Sequence, residues 1–74
     1  MTDQDFVRQL QRDSGCEVWA SGATALALGL PSIDNADYPT LVHLGFGDFE
    51  DKDHTYTRYD NPETGRRFYV VSKR

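Results

Sequence analysis

Residues 54–72 constrain the fold more than any other stretch. Both ends of this run are rich in threonine, tyrosine, phenylalanine and valine, side chains that fit a pleated, half-buried surface. Between them, Pro62 supplies a fixed φ for a turn, and Gly65 can take a positive φ to bring the chain back. A four-residue loop from Pro62 to Gly65 sets Asn61 opposite Arg66. One face of the hairpin then carries Thr55, Thr57, Tyr59, Phe68, Val70 and Ser72, and this is the expected core face. The other carries Tyr56, Arg58, Asp60, Arg67, Tyr69 and Val71, with Asp60 and Arg67 as a cross-strand charge pair. A one-residue slip would exchange the two faces. A lone hairpin is marginal in water, so other parts of the chain must cover it.

The cover comes from upstream. Thr2 or Asp3 caps a helix over residues 3–14, with Asp3 and Asp5 at the positive end of its dipole. Phe6, Val7 and Leu10 form its apolar stripe, and Gly15 ends it. Cys16, Val18 and Ala20 alternate with Glu17, Trp19 and Ser21 as a short strand. Residues 23–28 read as a second short helix that starts after Ser21 and Gly22 and ends at Gly29, with Pro31 beyond. Residues 32–39 form a loop. Residues 40–46 read as a strand with Val42, Leu44 and Phe46 on one side, and residues 39–44 read alternatively as a helix. Gly45-Phe46-Gly47 is a bend or bulge, since it does not extend to a phosphate-binding fingerprint. The fold class that follows is α+β: an N-terminal helix and a short second helix on a small antiparallel sheet with a C-terminal β-hairpin. At 74 residues, 1–74 form one small domain.

Charge narrows the function. Twelve acids against eight Lys and Arg give a net charge of −4. That balance argues against non-specific DNA or anionic-membrane binding, because phosphate affinity comes chiefly from basic charge. The acidic N-terminus lacks the apolar core of a signal peptide, and the longest apolar run, residues 23–30, is too short to span a membrane. With Cys16 as the single cysteine, no internal disulfide can form. A cytoplasmic, monomeric protein is expected.

No catalytic set emerges from the residues. Cys16 with His43 or His54 is the one nucleophile–base combination available, and their spacing does not bring them together. Residues 48–54 are dense in oxygen donors but lack the glycine and terminal glutamate of a calcium loop, and Lys52 would repel a cation. The chain is therefore expected to be no enzyme and to use neither metal nor cofactor. Asp48, Glu50, Asp51 and Asp53 cluster on a segment read as a flexible, glycine-flanked loop. Together with Asp34 and Asp37 they are the candidate partner-binding residues, presenting carboxylates to the arginines and lysines of a protein partner.

Two resemblances follow. The order helix, helix, possible third helix, hairpin resembles a winged helix-turn-helix, with residues 23–31 like its second helix and turn and residues 60–70 like its basic wing. That implies a DNA-binding regulator with residues 54–72 as the wing and Arg66 and Arg67 on it. The segment in the recognition position, residues 32–39, holds Asp34 and Asp37 and no basic residue, which a major groove would repel. Tyr56, Arg58, Arg67 and Tyr69 are alternatively a stacking surface for single-stranded bases. In size, acidity and lack of a catalytic set, the chain resembles the small phage- and plasmid-borne proteins that bind a host machine, anti-CRISPR proteins foremost. That resemblance implies a non-enzymatic inhibitor that occludes a basic nucleic-acid-binding surface, that of a CRISPR effector subunit, without contacting nucleic acid itself.

Overall fold

The structure, a computed structural model, describes all 74 residues. Helix α1 runs Asp3–Ser14. The Thr2 side chain accepts from the Asp5 N–H at 3.2 Å, and the Gly15 N–H closes the helix on the Gln11 carbonyl at 2.9 Å. Strand β1 (Glu17–Ala20) leads into α2 (Gly22–Leu28). Two 3-10 turns, Ile33–Asn35 and Tyr38–Thr40, occupy most of the segment read as a loop. Four strands complete the chain: β2 (Val42–Gly45), β3 (Asp48–Glu50), β4 (His54–Asp60) and β5 (Arg67–Lys73). Of the alternatives for residues 39–44, one 3-10 turn takes the start and a strand takes the rest. No helix is long and apolar enough to cross a membrane.

The five strands form one antiparallel sheet in the order β1-β5-β4-β3-β2. The hairpin has the expected register, with Tyr59 opposite Phe68 and Asp60 opposite Arg67. Asn61 donates its N–H to the Arg66 carbonyl at 2.8 Å, and Gly65 takes φ 72° in the loop between them. This hairpin is the centre of the sheet, with β3 on one flank and β1 on the other. It does not project as a wing, and no third helix follows α2.

The sheet is covered on both faces, which corrects the expected single core face. On one side α1 and α2 bury Val7, Val18, Ala20, Ala25 and Phe68. On the other, the segment carrying the two 3-10 turns buries Ile33 and Ala36 against Trp19, Phe49, Tyr56 and Val71. Tyr56 and Val71, assigned to the outer face, are therefore core residues, and Tyr59, assigned to the core, is 44% exposed. The reason is coverage: α1 lies over β1 and β5, and α2 over β1, so the helices stop short of Tyr59. Alternation along a strand reports two faces but not what lies on each.

Candidate interaction surface

The six nominated carboxylates do not form one loop. Asp48 and Glu50 lie on β3, whose central residue Phe49 is buried. Asp51 is only 1% exposed. Its carboxylate accepts from the backbone N–H groups of Asp37 (2.9 Å), Asp53 (2.8 Å) and His54 (2.7 Å), and from the Tyr56 hydroxyl (2.6 Å). Burial opposes its charge, but these four donors outweigh it and hold the carboxyl well below the usual carboxylate range. Burial, followed by the bond to Asp51, in turn pushes the Tyr56 phenol above the ordinary tyrosine range. Asp51 is thus a structural staple that joins the β3–β4 turn to the second core, and it has no free face for a partner. Asp37 lies 3.6 Å from Lys52 Nζ, and Glu50 lies 3.7 Å from Arg74 Nε. Asp34, Asp48 and Asp53 have no cation within ion-pair distance; Asp34 and Asp53 are exposed and Asp48 half-buried.

What the structure does assemble is a bare half of the helix-side sheet face. Strand register carries one row from Val42 through Glu50 and Thr55 to Ser72, and the next from Asp48 through Thr57 to Val70. Beyond the reach of α1, this face offers Val42 (54% exposed) and Leu44 (51%) on β2, Asp48 and Glu50 on β3, and Tyr59 on β4. Along the flank of α1, a hollow of about 370 Å³ lies between Phe6, Leu10 and Tyr59. Apolar side chains and carboxylates thus share one exposed face.

At the tip of the β2–β3 hairpin stands Phe46, fully exposed and in the left-handed region at φ 53° between Gly45 (φ 91°) and Gly47 (φ 81°). A two-residue turn of this hand favours asparagine or glycine, and a side-chain-bearing residue there costs about 1–2 kcal/mol. Phe46 recovers nothing from burial. Sequence reasoning ends a strand on it beside Val42 and Leu44 and also makes Gly45-Phe46-Gly47 a bend or bulge, and the bend is what the structure has. The signal that marks it is the pair of flanking glycines, which identifies a tight turn tip.

On the opposite face, a cleft of about 350 Å³ is lined by Tyr38, His43, Phe49, Arg58, Arg67 and Tyr69. Arg67 is engaged by Asp60 at 3.4 Å, while Arg58 lies against the turn at Gly47. Tyr56, grouped with Arg58, Arg67 and Tyr69 as a base-stacking surface, is fully buried and stacks on Phe49 at 4.9 Å. Arg66 is bound to Asp3 at 2.9 Å, in a network where Asp3 also accepts from Asn61 and Thr64. The Cys16 thiol donates to the Ser14 carbonyl at 3.4 Å, and no three His, Cys, Asp or Glu side chains converge to hold a metal.

Compared with known protein families, with characterised proteins and with solved structures, the chain matches none.

Proposed function

We propose that this protein is a non-enzymatic binding protein that inhibits a nucleic-acid-handling machine by docking on one of its basic surfaces. The observation that carries this reading is the bare sheet face, where Val42, Leu44 and Tyr59 are exposed beside Asp48 and Glu50. The apolar residues supply desolvated contact, and the carboxylates select a basic partner and speed its capture. Asp34 and Asp53 are further exposed carboxylates available to such a partner, while Asp51 serves the fold. A CRISPR effector subunit is the partner implied by the chain's resemblance to anti-CRISPR proteins, and the interaction excludes nucleic acid from the site by occupancy.

The test is binding kinetics against purified type I effector subunits, with wild type beside an Asp48→Asn/Glu50→Gln variant. Wild type should bind with an association rate that falls as salt rises, and the folded variant should associate several-fold more slowly. Undiminished association by the variant removes this face from the mechanism. No binding to any subunit rules out that partner class.

A further inference from the structure

The sheet has two edges, and one of them is capped at its end. At β1 the Ala20 N–H is taken by the Pro31 carbonyl at 3.1 Å, and Ala20 bridges Ser32 in parallel. At the other end, β2 pairs only with β3, and all four of its residues are exposed. Edge strands in soluble proteins are usually blunted by lysine, proline or an inward-pointing charge. Val42-His43-Leu44-Gly45 contains none of these; what shields it is its four-residue length and the register shift between His43 and Gly45. The strained, solvent-facing Phe46 directly follows this open edge. The fold would be served better by asparagine there, and strain of this kind collects where a surface is used for something else.

We infer that β2 is a receiving edge, at which an extended basic segment of a partner protein joins the sheet as a sixth strand and packs apolar side chains on the Phe46 ring. This rests on the proposed docking to a basic surface and specifies how the partner is held. Backbone pairing supplies the common part of such an interaction, and alternate side chains supply the fit. On the helix-side face, partner Lys or Arg stems lie over Val42 and Leu44. Their heads extend toward Asp48 and Glu50 on β3, two strand spacings or about 9–10 Å away. The intervening partner residues face the His43 side and are apolar. The matching segment therefore alternates basic and apolar residues. A second copy of this chain is disfavoured at the same edge, because each copy carries a charge of −4 and brings its own Asp48 and Glu50.

The probe is a capped ten-residue peptide of alternating lysine and valine, titrated into the isotope-labelled protein and followed by amide chemical shifts. Two controls keep every side chain and charge but carry N-methyl groups on alternate backbone amides, one in each register. Saturable shifts centred on Val42–Gly45 and Phe46 are expected, with at least tenfold weaker binding for one methylated register. Phe46→Asn should weaken binding at least tenfold while raising the melting temperature by about 4–8 °C.

Binding indifferent to both methylation registers, shifts centred on Asp34 or Asp53, or a Phe46→Asn protein that binds like wild type would each overturn the inference. So would sedimentation showing that the chain alone dimerises through protected β2 amides. If the peptide does not bind but effector subunits are still captured in a charge-dependent way, strand addition fails and the docking reading stands. If neither binds, strand addition and the effector-subunit partner both fail.

Discussion

The Tyr56 hydroxyl donates to the Asp51 carboxylate at 2.6 Å, and both side chains are shut off from solvent. Every buried side-chain nitrogen and oxygen in the protein has a hydrogen-bond partner, and the Asp51 carboxylate accepts three backbone N–H groups besides this hydroxyl. Tyr56→Phe removes one donor to a buried charge and should cost about 1.5–3 kcal/mol. Asp51→Ala leaves four donors without their acceptor and should cost more, enough to unfold a large fraction of a domain this small. Urea denaturation of the two variants checks the order.

The same pair gives the protein a pH signature at both ends. The Asp51 carboxyl lies below its ordinary 3.8 when folded, so the unfolded chain binds more protons in acid. Stability is then full above about pH 4 and falls as the pH drops further. Asp3 contributes in the same direction, held down first by the Thr64 hydroxyl against opposing burial, then by Asn61 and Arg66. Tyr56 is raised above its ordinary 10.0, so the stability of its neutral form is full below that pH and is lost as pH climbs past it. Melting temperature against pH should slope at both limits, and Tyr56→Phe should flatten the alkaline slope.

Phe68 is fully buried beneath α1, its ring 5.7 Å from that of Phe6. Phe68→Ala should cost about 3–5 kcal/mol, through lost transfer energy and an unfilled cavity. Against a total of about 5–15 kcal/mol for a folded domain, that loss should show as broad, low-temperature melting. Tyr59→Ala, one cross-strand position away but exposed, should change stability far less.

Gly65 has open space where a Cβ would stand, so any cost of replacing it comes from its backbone at φ 72° alone. Gly65→Val should lose about 1–2 kcal/mol, and Gly65→Asn should lose less, since asparagine tolerates the left-handed region. Thermal melts of the two variants separate backbone strain from crowding.

Local chemistry made much of this fold legible. The bounds of α1, its Thr2 cap, the short strand after it and the hairpin register all follow from residues within a few positions of one another. So does the turn at Gly65. Three features depend on contacts between distant segments. The stretch with the two 3-10 turns crosses to the second face of the sheet and makes Tyr56 and Val71 core residues. Asp51, one acid among several in an apparent surface cluster, becomes a buried staple because the Asp37 N–H, 14 residues away, is brought to it. The exposure of Val42 and Leu44 is decided by where α1 and α2 stop, a matter of how few residues the helices have to cover a five-stranded sheet. Periodicity shows which side chains share a face; only the assembled layers determine whether that face is covered.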